Sequence, residues 1–208
     1  MARAFAEITF TPSVKAAQQR YGSRQSNRGL EVSRVRQDEL TEDEARFIER
    51  MDGFFQASVG ESGWPYVQFR GGPRGFLKVI APKTIGFADF RGNLQYVSVG
   101  NLDADGRIAL ILMDHSHPSR LKIWGQARVV DRAVDADLVE SLQVPGYAAR
   151  AERAIVIDVH AFDWNCPQHI TPRFTEAEVL EMTAPMVAEL ATLRAKVAAV
   201  SAADPKQD

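Results

Sequence analysis

Two arginines, a lysine and three glycines crowd into RGGPRGFLK, Arg70 to Lys78. Glycine lets backbone N–H groups approach an anion closely, and the guanidinium fork matches phosphate oxygens. The same stretch also reads as a bulged turn carrying solvated basic residues. A second segment, DFRGNLQYVSVGN from Asp89 to Asn101, sets Arg91, Asn93 and Gln95 just after a predicted strand. An arginine beside a helix start makes an anion site; a plain surface loop is the alternative. In HPSRLKIWGQARVV, Arg120 and Lys122 alternate with Leu121 and Ile123, so both cations point to one face of a strand. On a covered face they need an anion to neutralise them. On a solvent face they carry no message.

The fourth segment is FDWNCPQHITPRF, Phe162 to Phe174. It gathers Trp164, Asn165, Cys166, Gln168, His169 and Arg173 around two prolines, and polar and aromatic residues concentrated in a rigid loop are where function tends to lie. Trp164 offers a flat face to a ring system, and Asn165, Gln168 and His169 offer hydrogen bonds of both kinds. The loop also reads as a plug over the end of a barrel. Cys166 is the single cysteine, which excludes an internal disulfide framework and a multi-cysteine metal site. With no activating arrangement legible around it, it reads as an inert, partly buried thiol. His115 and His117 form an H-x-H pair, but a metal needs more ligands than that, so no metal site is expected.

The elements that must position these residues follow from pattern. Thr11-Pro12 starts a helix that Gly22 stops, and residues Ser23 to Arg36 read as a polar surface excursion. Thr41 and Glu44 form a capping box ahead of a helix with Ala45, Ile48 and Met51 on one face. Short extended segments follow at Phe54 to Val59, Pro65 to Phe69, Phe76 to Ile80 and Thr84 to Ala88. More lie at Arg107 to Met113, which is apolar enough to be buried on both faces, and at Leu121 to Val130 and Ala154 to Val159. Short helices are expected within Arg91 to Leu102 and Val134 to Leu142. Strands so closely spaced argue for an antiparallel barrel and against a βαβ sheet. After Thr175, Val179, Met182, Met186, Leu190, Leu193 and Val197 recur every three or four residues, a long amphipathic helix whose stripe must pack on the barrel or on another chain.

Composition narrows the function classes. The chain has 208 residues, Lys+Arg 25 against Asp+Glu 27, and a net charge of -2, with no basic excess for generic nucleic-acid binding. MARAFAEITF is broken by Arg3 and Glu7 before a secretory apolar run forms, and no stretch reaches the ~20 apolar residues of a transmembrane helix. A cytoplasmic protein is expected.

The four segments, in this order, resemble the FMN-binding split-barrel family of pyridoxamine 5'-phosphate oxidase over roughly Thr41 to Phe174. The carriers are ESGWPYVQFRGGPRGFLKV, DFRGNLQYVSVGNL, RLKIWGQARVVD and FDWNCPQHITPR, the last being typical of a bacterial subgroup of oxidase-related flavoproteins. The resemblance implies a homodimer with FMN at the subunit interface. It implies flavin contacts at Gln68, Phe87, Ala88, Trp164 and Arg173, a phosphate-binding turn at Arg91 and Asn93, and a contact from Arg120. Arg70, Arg74 and Lys78 are further candidates for the phosphate, and Asn165 and Gln168 for the cofactor. The family's oxidase carries an Arg-x-His pair for its pyridoxal-type substrate; here those positions read Ile170-Thr171-Pro172. Vitamin B6 oxidation is therefore disfavoured while FMN binding is not. The expected function is an FMN-dependent oxidoreductase on an unknown small substrate, with no catalytic residue assigned. The alternative is a non-catalytic flavin-binding or partner-docking module, or a relative that takes deazaflavin or haem.

The expected architecture is mainly β with flanking helices: a six-stranded antiparallel split β-barrel followed by a long C-terminal helix. The organisation expected is an N-terminal arm at 1–40, the barrel domain at 41–174, and a helix with tail at 175–208.

Overall fold

The computed structural model describes residues 2–165 and 168–203, and at 165 and 200–203 the backbone alone. Cys166, Pro167 and residues 204–208, most of the expected tail, lie outside the described residues. Two compact units are distinguished, one of residues 1–114 and 118–168, the other of residues 115–117 and 169–208.

The first unit holds one antiparallel sheet. Its strands are β1 (Gly53–Val59), β2 (Pro65–Gly71), β3 (Leu77–Ala81), β4 (Thr84–Phe90), β5 (Arg107–Asp114), β6 (Ser119–Asp131) and β7 (Ala151–Asn165). Their order is β2-β1-β5-β6-β7-β4-β3. The sheet thus has seven strands, which corrects the six-stranded expectation. Every predicted extended segment finds a ladder, because β7 is long enough to pair with β6 along one edge and with β4 along the other, and β4 in turn carries β3.

The ladder is open between β2 and β3, yet the sheet curls so that its ends meet through side chains. Phe54 on β1 lies 5.3 Å from Phe87 on β4 and stacks on Phe76 at 5.5 Å. Arg70 on β2 reaches Asp89 on β4 at 2.6 Å. Inside the curl lie Phe54, Leu110, Leu112, Leu121, Ile123, Ile155 and Ile157. On β5 the pattern is alternation: Ile108, Leu110 and Leu112 are buried and Ala109, Ile111 and Met113 are half-buried. The second face of RIALILM is therefore only partly covered.

Helices flank the sheet: α1 (Ala4–Thr9), α2 (Pro12–Arg20), α3 (Arg24–Glu31), α4 (Glu42–Arg50), α5 (Val97–Ala104) and α6 (Ala136–Leu142). Thr11 caps α2 with Pro12 in its first position, and the Thr41–Glu44 capping box opens α4. The stretch read as a polar excursion instead forms α3. Its helix is stitched by polar groups: Asn27 and Ser26 donate to the Ser23 carbonyl, and Arg24 and Lys15 both pair with Glu31. α1 seats Ala4 and Ala6 in the interior and sets Phe5 5.3 Å from Trp124 of β6.

The second unit is α7 (Glu176–Ala203) and the turn before it. Thr175 caps the helix: its hydroxyl accepts from the Glu178 N–H, and the Glu178 carboxylate accepts from the Thr175 N–H. Pro185 sits inside the helix without ending it. Val179, Met182, Met186, Leu190, Leu193 and Val197 are all exposed. No helix among the described residues is long and apolar enough to cross a membrane.

Candidate functional site

A cavity of about 230 Å³ opens where β2, the end of β4, the start of β7 and the loop into α5 converge. It is built by alternation. Along β2, Tyr66, Gln68 and Arg70 face it while Pro65, Val67 and Phe69 face out. The loop supplies Gly92, Asn93, Leu94, Gln95 and Tyr96, with Leu94 at φ 65 and Tyr96 at φ 52. Non-glycine residues in the left-handed region cost about 1–2 kcal/mol each and concentrate where geometry serves a ligand. Tyr96 then leads into α5, whose first turn, Val97, Ser98 and Val99, lines the cavity with no side-chain cap. Uncapped first-turn N–H groups and the positive end of the helix dipole favour an anion.

The electrostatics centre on Asp89, which is 3% exposed. One carboxylate oxygen accepts from Arg70 Nη1 and the other from Arg153 Nη1, each at 2.6 Å. Arg153 also donates to Glu152 at 3.1 Å and lies 5.0 Å over the Tyr96 ring. Burial disfavours the Arg153 charge, but the Asp89 carboxylate outweighs it and holds the guanidinium above its ordinary range. The Arg70 Nε is buried with no hydrogen-bond partner among the described residues. Ser98 donates to Gln68 at 2.7 Å, tying α5 to β2. A second cavity of about 160 Å³ shares Arg70, Asp89 and Phe90 with the first and is walled by Phe69, Phe76, Phe87 and Ala88.

These two cavities gather Gln68, Arg70, Phe87, Ala88 and Asn93 from the residues expected to bind a cofactor. The others are placed elsewhere. Lys78 donates to the carbonyls of Ser141 and Gln143 at 2.7 and 2.9 Å, capping the end of α6. Arg74 is exposed in the β2–β3 connection. Arg91 is half-exposed, its Nε 3.8 Å from Glu152. Arg120 lies on β6 between Met113 and Asn165, its Nε buried with no hydrogen-bond partner among the described residues. Trp164 donates its indole N–H to Glu44 at 2.7 Å and meets Phe47 edge-on at 4.8 Å. Asn165 ends β7, with its side chain outside the described part, and Gln168 is exposed. Arg173 belongs to the second unit, where its backbone N–H donates to the His115 carbonyl at 3.3 Å.

Asp89, Glu152, Arg153, Tyr96 and Ser98 are the residues the sequence reading passed over as site members. One signal was available: Asp89 ends the strand IGFAD as its sole charge, and a carboxylate on an apolar strand must find a cation.

Residues 40–164 match the family described as pyridoxamine 5'-phosphate oxidase. The chain belongs to that family. Among curated proteins no sequence matches. Solved structures similar to this member of the family include HupZ of Group A Streptococcus. It is 12% identical with a TM-score of 0.50, covering 65% of this chain and 99% of that one. At this identity the likeness speaks for the fold. An FMN-binding protein from Syntrophomonas wolfei is 10% identical, TM-score 0.46, over 74% of this chain and 97% of that one. General stress protein 26 from Bacillus anthracis is 12% identical, TM-score 0.44, over 62% and 92%.

Proposed function

We propose that this member of the pyridoxamine 5'-phosphate oxidase family binds FMN and acts as an oxidoreductase on a small substrate other than pyridoxamine 5'-phosphate. The observation that carries the reading is the cavity at the uncapped start of α5, flanked by Arg70 and Arg153. Its donor set suits a phosphate end: first-turn N–H groups, two guanidiniums and a buried Arg70 Nε without a partner among the described residues. Gln68, held by Ser98, and the Asn93 amide supply neutral donors beside it. The phenylalanine-walled second cavity suits the apolar part of a ring system.

When bound, the flavin supplies hydride and electron transfer. The chain's own part is to hold the anionic end, keep water from the ring and present cations. Arg120, whose Nε is buried and which lies outside both cavities, is the candidate to stabilise a negative charge developing on the ring of the flavin held by a second copy. The Ile170-Thr171-Pro172 sequence offers neither a cation nor an imidazole to a pyridoxal-type substrate. A homodimer with the flavin at its interface, in the cytoplasm, completes the proposal. Its support is the outward apolar face of β1 and β2, where Phe55, Val67 and Phe69 are exposed.

The test is the visible spectrum of the purified protein with mass spectrometry of the released cofactor. A flavin spectrum and the mass of FMN are expected, with bleaching by NADH or NADPH and recovery in air. A deazaflavin or haem spectrum, or a colourless protein that takes up no FMN, overturns the cofactor. A second reading, a non-catalytic flavin module that docks on a partner, is favoured by the exposed stripe of α7. It predicts a yellow protein that no reductant bleaches at a useful rate.

A further inference from the structure

The cavity proposed for the phosphate has a charge problem. Its lining carries Arg70 and Arg153, but also Asp89 and Glu152, so the ionised side chains cancel. A carboxylate beside a phosphate dianion is repulsive unless it does something else. Asp89 faces Arg153 directly across the β4–β7 ladder, and its second oxygen holds Arg70, which comes from β2 across the seam that no ladder closes. With the side chain almost fully buried, the carboxylate cannot turn away into solvent. Two arginines buried side by side repel each other, and one carboxylate bridging them removes that repulsion and fixes both planes.

We infer that Asp89 is a positioning residue. It clips β2 to β4 at the open seam and orients the Arg70 and Arg153 guanidiniums toward the phosphate of the cofactor. The inference rests on the FMN reading above. Arg70 gives one nitrogen, Nη1, to Asp89. Its Nε is buried with no hydrogen-bond partner among the described residues. Arg153 is more heavily engaged, with Asp89 and Glu152 as hydrogen-bond acceptors and Asp131 3.6 Å from its Nε. Asp89 therefore confers specificity for the phosphorylated flavin through the two guanidiniums it holds.

The experiment compares FMN with riboflavin, which lacks the phosphate, by quenching of flavin fluorescence on binding to the full-length protein. Wild type should prefer FMN. Asp89→Asn should lose about tenfold of that preference, the worth of one charge-assisted hydrogen bond, with FMN weakened more than riboflavin. Asp89→Glu keeps the charge but displaces both guanidiniums; it should fold and show an intermediate preference, which keeps the test open if the asparagine variant does not fold. Equal weakening of both flavins in the variants marks a purely structural carboxylate and overturns the inference. So does an unchanged preference. Tighter FMN binding by Asp89→Asn marks Asp89 as a competitor of the phosphate and overturns it as well. A wild type that binds neither flavin, or both alike, overturns the FMN reading itself and is distinguishable from all of these.

Discussion

Trp164 gives its indole N–H to a carboxylate 120 residues earlier in the chain. That carboxylate, Glu44, also closes the capping box of α4, accepting from the Thr41 N–H at 2.9 Å and the Thr41 hydroxyl at 2.5 Å. Both halves were readable: the capping box from spacing, the tryptophan from its loop. Their union was not, because nothing local marks a contact across so much sequence. Trp164→Phe leaves a buried Glu44 oxygen unpaired and should cost about 1–3 kcal/mol in a urea titration. Burial pushes the Glu44 carboxyl up, but the bonds from Thr41 and Trp164 outweigh it and hold the group below its ordinary value of 4.5. A depressed carboxyl stabilises the fold above that ordinary value, and the contribution is lost as pH falls through the lowered one. Glu44→Gln should therefore lose stability at neutral pH, and its deficit against wild type should shrink on acidification; a deficit constant with pH would sink this assignment. Lys78 makes the same point about reach. Its carbonyl partners lie 63 and 65 residues downstream. From sequence it was one more cation near glycines, whereas Lys78→Met should cost about 1–3 kcal/mol of stability through the two carbonyls left uncapped.

At the scale of elements, pattern succeeded where burial is periodic and failed where it is not. α4 and α7 begin at the caps that Thr41 and Thr175 announced. α3 was missed because it buries no residue, so no apolar period marks it, and ion pairs with Arg24 and Lys15 hold it in place. The extended segments were all found, but counting strands in a sheet needs their pairing, and pairing is written in long-range contacts. The register of β6 against β7 shifts between Trp124 and Gly125, so that β7 carries one extra residue opposite that step. Gly125 makes the shift possible. A Cβ there would run into the Asp158 carbonyl oxygen and come within 2.8 Å of Ile157 Cγ2. Backbone cannot yield cheaply, so Gly125→Ala should destabilise by about 3 kcal/mol, read as a drop in the urea midpoint. A midpoint equal to wild type would mean that the two strands separate easily at this step.

For the whole molecule, the same alternation that aims Gln68 and Arg70 at the cavity aims Val67 and Phe69 outward. Val67 is 61% exposed and Phe69 58% exposed, and Phe55 lies 5.3 Å from Phe69 on the neighbouring strand. β2 is also an end strand of the sheet, with one side unpaired. An apolar patch beside an open edge is a surface that a soluble chain covers. In the proposed dimer a second copy covers it, next to the cavity built by the other face of the same strand. Assembly and flavin retention should then fall together. Val67→Glu places a charge within that patch without touching the lining of either cavity. It should convert a two-chain particle into one of 23.1 kDa, measured by light scattering, and the flavin should wash out in the same gel filtration. Deleting residues 175–208 should leave a particle of two shortened chains, since α7 carries none of this face. A Val67→Glu protein that remains a yellow dimer would move the interface elsewhere, and loss of the dimer on deleting α7 would assign it to the helix.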